Sequence, residues 1–284
     1  MSLSSFLLNQ DVKARFKEEF SRPKFALKKE LLAPPVTKHY MLVGTAFDYL
    51  MRFYTKRLNP EAITQKWVAE ESVERMKWLG LALDSQRVPF EIDDNLLGEA
   101  QEMLSQAKIA YSDYIKSGEM SDEVIKCTIL LAQLDAYFRA QFIGEDFGII
   151  DDGDEADLQK LISLVVPASF RTKELCLLNP TFGQASKLVK GADADLVIDN
   201  VLIDIKTTTK LEFKRDHFNE LIGYYTLHKL GGIPNAPVEP NIEDLGIYYS
   251  RYGELYTFPV TEAIPVTNFP SFMKWFKGRA AQEK

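Results

Sequence analysis

The sequence predicts a mixed α/β fold in which a large helical half comes first and a sheet flanked by helices follows. Three observations point there. Apolar residues keep a helical three-to-four spacing from about residue 10 to 165, and near residue 163 the period shortens to that of strands. The stretch Gly191–Thr209, GADADLVIDNVLIDIKTTT, then reads as a hairpin.

In chain order, residues 10–32 are expected to be helical through Val12, Phe16, Phe20, Leu27 and Leu31, interrupted at Pro23 and closed by Pro34-Pro35. A second helix covers 40–58, with Phe47, Leu50, Met51 and Tyr54 as its stripe and Asp48 beside it. From 60 to 165 successive amphipathic segments are marked by Trp67, Met76, Leu83, Met103, Tyr114, Leu130 and Phe138, with Pro89, Gly98, Gly118 and Gly144 as punctuation. The acidic stretch 151–157 reads as a solvated loop or helix start, since it lacks the rest of a calcium loop. Short strands are expected at 164–166 and 174–178, then the hairpin, then a helix over 215–230 stopped by Gly231-Gly232. Two strands, 245–251 and 254–260, are joined at Tyr252-Gly253, and a final helix lies around 271–279. This suggests N-terminal helices at 1–60 that contribute to the core, a helical insertion or subdomain at 61–165, and the core itself at 166–284.

Within the hairpin, Leu196-Val197-Ile198 and Val201-Leu202-Ile203 flank Asp199-Asn200, two residues that tolerate the left-handed backbone of a tight turn. A two-residue loop pairs Ile198 with Val201, Val197 with Leu202 and Leu196 with Ile203, and sets Asp195 opposite Asp204. Strand alternation gives Leu196, Ile198, Val201, Ile203 and Ile205 one apolar face for the core. The other face carries Asp193, Asp195, Asp204 and Lys206. Facing carboxylates repel, so this face needs a compensating cation: Lys206 is one candidate and a divalent metal the better one.

Bulk composition narrows the classes. The net charge is -7, against a surface coated for nucleic-acid binding, yet the first 60 residues are basic and Lys187, Lys190, Lys206, Lys210, Lys214 and Arg215 surround the hairpin. Residues 91–157 are strongly acidic. No apolar run approaches a membrane span, and no positive charge precedes the short N-terminal apolar stretch as a secretory signal requires. Cys127 and Cys176 read as buried thiols of a reducing, cytoplasmic setting. The three histidines lie too far apart for a zinc motif, and there is no Walker A sequence, serine-nucleophile elbow or dinucleotide fingerprint.

Asp195, followed on the next strand by Asp204-Ile205-Lys206, resembles the PD-(D/E)XK nuclease superfamily. Two further stretches resemble its RecB-like exonuclease branch. Gly44-Thr45-Ala46-Phe47-Asp48 keeps the spacing of a G-x-x-x-H motif with Asp in the His position, and Glu220-Leu221-Ile222-Gly223-Tyr224 keeps that of Q-x-x-x-Y with Glu for Gln. The resemblance covers about 171–260 plus the Asp48 helix. It implies a restriction-endonuclease-like core sheet and a nuclease that hydrolyses DNA, single- or double-stranded, as an exonuclease. Asp48, Asp195, Asp204 and the backbone carbonyl of Ile205 would hold Mg²⁺ or Mn²⁺. Lys206 would position or help deprotonate the attacking water, with Glu220 and Tyr224 beside it, and Thr207, Thr208 and Lys210 would contact neighbouring phosphates. The cysteines that carry an iron–sulfur cluster in some members are missing, so no cluster is expected. A catalytically idle module that binds nucleic acid or a partner protein is the alternative, and a protein partner or homo-oligomer stays open beside DNA.

Overall fold

The computed structural model describes residues 2–81, 94–140, 143–144 and 146–283. The chain runs through α1 (Leu3–Phe6), α2 (Gln10–Glu19), α3 (Tyr40–Leu58), β1 (Ile63–Thr64), α4 (Val68–Leu81), α5 (Asp94–Ser117), α6 (Asp122–Ala140) and α7 (Asp152–Ser163). It continues with β2 (Cys176–Leu178), α8 (Gln184–Leu188), β3 (Leu196–Ile198), β4 (Val201–Lys206), α9 (Arg215–Gly231), β5 (Asp244–Tyr249), β6 (Glu254–Pro259), α10 (Val260–Ala263) and α11 (Phe269–Ala280). The fold is mixed α/β with a helical N-terminal half.

Contacts divide the chain into two units. The sheet unit takes residues 1–30, 61–64 and 166–284; the helical unit takes 31–60 and 65–165. The helix α3 therefore groups with the helical unit, because its apolar stripe packs on α6 and α7. In that unit α6 is central, packed by α3, α4 and α5. Tyr49, Phe53, Trp67 and Tyr111 form an aromatic cluster with ring centroids 4.6 to 6.4 Å apart.

The six strands lie in sequence order. Neighbours β1/β2 and β4/β5 are parallel, and the other pairs antiparallel. The parallel β4/β5 step requires a crossover, which α9 supplies. The hairpin has the expected register: Ile198 pairs with Val201, Val197 with Leu202 and Leu196 with Ile203. Asp199 makes the turn with φ 52°. Its carboxylate accepts from the backbone N–H groups of Lys173, Glu174 and Leu175 and from the Thr172 hydroxyl, which ties the turn to the chain entering β2. Gly231 ends α9 against the backbone before α8: a Cβ there would meet the Phe182 carbonyl oxygen at 2.3 Å.

Several expectations are corrected. Only 10–19 of the first helix forms; Phe20 turns extended. The chain beyond Pro23 stays non-helical, because the Arg22 guanidinium binds the Phe213 carbonyl and Phe25 packs among Phe213, Tyr249 and Tyr256. Residues 164–166 form no strand; Leu164 and Val165 donate to Leu161 and Ile162 and finish a helix. Gly98 lies inside α5. The acidic stretch 151–157 is not merely solvated: Asp151 caps α7, while Asp154 and Asp157 are buried. Leu83 and Pro89 lie outside the described residues.

The hairpin is apolar on both faces. Leu196 and Ile203 are buried as expected, but Val197 and Leu202, on the carboxylate face, are buried as well. They join Leu245, Ile247, Leu221 and Ile222 in one core, because α9 lies over that face. Burying two such side chains is worth about 1.5–3 kcal/mol each. The charged groups therefore sit at the edge of a hydrophobic core, not on open surface.

Candidate active site

Parity along β4 puts Leu202, Asp204 and Lys206 on the face under α9. Their partners on β5 are Leu245, Ile247 and Tyr249, all buried. Asp204 is 3% exposed, and this low polarity governs its chemistry. Lys206 Nζ lies 2.7 Å from Asp204 Oδ2, at an angle outside hydrogen-bond geometry, and donates to Glu220 Oε2 at 2.8 Å. The ammonium thus stands between carboxylates from a strand and from a helix.

Asp195 lies just beyond the last ladder pair, since β3 begins at Leu196. It does not oppose Asp204 within the ladder as the sequence suggested. Its carbonyl accepts from Asn179 N–H at 2.8 Å, and its carboxylate Oδ2 accepts from Ile205 N–H at 2.6 Å. The carboxylate still lies on the Asp204 side and adds to the negative charge there.

The electrostatics follow from burial and an excess of acid. Burial, with Glu220 and Asp195 adding to it, raises the Asp204 carboxyl well above the usual range despite Lys206. Burial alone would lower Lys206, but Asp204, Glu220 and Asp195 outweigh it and hold the ammonium charged. Lys206 is thereby held as a cation between these acids. Glu220 is opposed by burial yet kept ionised by Lys206 and by the Ser4 hydroxyl, which donates to Oε1 at 2.7 Å. Tyr224 is buried, stacks on Phe182 and points its hydroxyl at Glu220 Oε1, 3.4 Å away. Burial pushes its phenol well above the ordinary value.

The structure thus brings together Asp195, Asp204, Lys206, Glu220 and Tyr224, with Ile205 between the strand acids. Asp48 is half-buried on α3, which belongs to the helical unit, and its carbonyl accepts from Arg52. Thr207, Thr208 and Lys210 do not continue the strand, which ends at Lys206. Thr207 Oγ1 accepts from Ser250, Thr208 Oγ1 from the Lys210 backbone N–H, and Lys210 is exposed.

Two neighbours of the cluster were missed. Ser4 lies 216 positions from its partner, and no local pattern could find it. His217 stands three residues before Glu220, on the same helical face, and that spacing was a usable signal. Its Nδ1 is buried without a hydrogen-bond partner, and burial with Lys206 and Lys214 nearby lowers its pKa to about 4, so the ring is neutral.

Among the described residues, no three His, Cys, Asp or Glu side chains already stand as ligands around one point. Lys206 occupies the space between Asp204 and Glu220. The donor set nevertheless fits a hard divalent cation: carboxylate oxygens are its ordinary ligands, and the buried Asp204 Oδ2 lacks a directed hydrogen bond. Cys127 and Cys176 are buried free thiols, and burial pushes Cys127 up to about 11. Among the described residues no helix is long and apolar enough to cross a membrane. Comparison with protein-family models, with curated proteins and with solved structures gives no match.

Proposed function

We propose that the sheet unit is a metal-dependent nuclease that hydrolyses DNA phosphodiester bonds, acting as an exonuclease. The observation that supports this reading is the buried Asp204–Lys206–Glu220 cluster at the end of β4, with Asp195 alongside. Two acids paired to one cation, with a third acid close by and the buried Asp204 shifted by its surroundings, give the surplus of negative charge that a site for a divalent metal needs. Asp195, Asp204 and the Ile205 carbonyl would hold Mg²⁺ or Mn²⁺. When bound, such an ion lowers the pKa of its water and polarises the phosphoryl oxygen. Lys206, kept charged, offsets the negative charge that develops on the phosphate. Glu220 fixes the ammonium, and Tyr224 braces Glu220. Exposed Lys187, Lys190, Lys210 and Lys214 offer sequence-independent contacts to the nucleic-acid backbone.

A second reading is a nuclease-fold module that binds nucleic acid or a partner protein without cleaving. The ion pairs of Lys206 with Asp204 and Glu220 favour it, because the ammonium already neutralises acids that a metal would need. Incubation with linear and circular DNA, single- and double-stranded, with Mg²⁺, Mn²⁺ or EDTA, separates the two. Metal-dependent loss of linear DNA that vanishes in Lys206→Ala is expected. Cleavage of circles would remove the exonuclease assignment, cleavage untouched by Lys206→Ala would remove the site, and binding without cleavage would favour the idle module.

A further inference from the structure

The N-terminal turn touches the cluster through one side chain. In α1, Leu3 and Phe6 are both buried: Phe6 packs edge-on against Phe276 at 5.2 Å, and the Leu3 N–H donates to the Gly191 carbonyl at 2.9 Å. Leu3 also seats on α9 at Gly223, where a Cβ would come within 3.0 Å of its methyl carbons. Gly223 lies one helical turn beyond Glu220. Ser4, between these anchors, is thereby held over Glu220 and donates to Oε1 at 2.7 Å, while Oε2 accepts from Lys206. The two oxygens of one carboxylate are thus taken by a fixed hydroxyl on one side and the ammonium on the other.

We propose that Ser4 is a positioning residue of the site: it locks the Glu220 carboxylate so that Lys206 is held beside Asp204. The catalytic consequence rests on the nuclease reading, whereas the lock itself does not. Without the hydroxyl, the contact left to Glu220 Oε1 among the described residues is the long one from Tyr224, and the carboxylate is free to rotate toward solvent. Lys206 then swings with it. Ser4 touches neither strand acid in this arrangement, so metal affinity does not depend on it. The Ser4 backbone is fixed by its neighbours, and its side chain is exposed, so Ser4→Ala removes the hydroxyl without opening the core.

Two measurements on the full chain test this, each on wild type, Ser4→Ala and Ser4→Thr. Nitrogen-detected NMR of the lysine ammonium groups, with Lys206 assigned by the signal lost in Lys206→Arg, reads exchange of its protons with water. Ser4→Ala is expected to speed that exchange about tenfold and Ser4→Thr to restore it, since a hydrogen bond to a charged group is worth roughly that factor or more. On linear DNA, kcat is expected to fall about 5- to 30-fold in Ser4→Ala, with KM and the affinity for Mn²⁺, titrated by electron paramagnetic resonance, unchanged. An exchange rate identical in wild type and Ser4→Ala overturns the proposal. So does an unchanged kcat in a wild type that cleaves. If wild type cleaves nothing, the nuclease reading fails, and the ammonium exchange still decides whether Ser4 holds the pair.

Discussion

The helical unit and the sheet unit bury carboxylates in opposite ways. In the helical unit each has close polar partners. Asp154 is bound by the Thr37 hydroxyl and the His39 ring, and Asp135 by the Tyr49 hydroxyl and Arg139. In the sheet unit Asp204 and Glu220 share one ammonium with Asp195 close by, and the buried Asp204 Oδ2 has no directed hydrogen bond. The first arrangement is what a fold needs to bury a charge without loss. The second leaves attraction to spare for a further cation. Burial of acid alone therefore says little about function; the ratio of acids to partners says more.

Replacing the shared cation tests this contrast most severely. Lys206→Ala is expected to lower DNA cleavage about 10²- to 10³-fold, while the protein stays folded because Asp204 takes up a proton once its counter-ion is gone; single-turnover cleavage and circular dichroism check both halves. In the helical unit the loss falls on stability instead. Asp154→Ala removes two hydrogen bonds to a charged group and is expected to cost about 1.5–3 kcal/mol, read from the urea midpoint. Asp204→Asn sharpens the comparison: it relieves repulsion from Asp195 and Glu220, so stability should stay within about 1 kcal/mol of wild type or rise, while cleavage is lost. An Asp204→Asn protein as destabilised as Asp154→Ala would mean that both units bury acid for the same structural purpose.

The smallest expected effect is a pH dependence in the helical unit. Asp154 raises the His39 pKa above its unfolded value near 6.5, mainly through their hydrogen bond. A raised folded-state pKa means the native state holds the proton more tightly. The stabilisation is complete below about pH 6.5 and is lost as pH rises through the folded value. Urea midpoints of wild type and His39→Gln should therefore differ most in mild acid and converge in alkali; a gap that widens with pH would reverse the assignment.

Local patterns made much of the site legible. The Asp199-Asn200 turn fixed the register, the i, i+4 spacing put Glu220 and Tyr224 on one helix face, and the resemblance to a Q-x-x-x-Y motif pointed to both as partners of the strand lysine. The stripe through Phe47 and Leu50 located α3 at Tyr40–Leu58. What escaped depended on distant chain. The Leu164-Val165-Val166 run is apolar without a period, so a helix end and a strand look alike. Burial of the carboxylate face came from α9, whose docking the hairpin residues do not encode. Asp154 looked solvated among its acidic neighbours, because its partners Thr37 and His39 belong to another segment.

The sheet unit is assembled from segments on either side of the helical one. Residues 65–165 can fold as soon as they emerge from the ribosome, but α1 and α2 must wait for α9 and α11. At roughly 5–20 residues per second, that interval is on the order of ten seconds or more. During it Phe6, Phe16 and Phe20 lack the Phe272 and Phe276 rings against which they later pack. The segment through α1 and α2 thus stays an exposed sticky surface until the far side of its sheet unit is made, and a nascent-chain chaperone would have much to shield there.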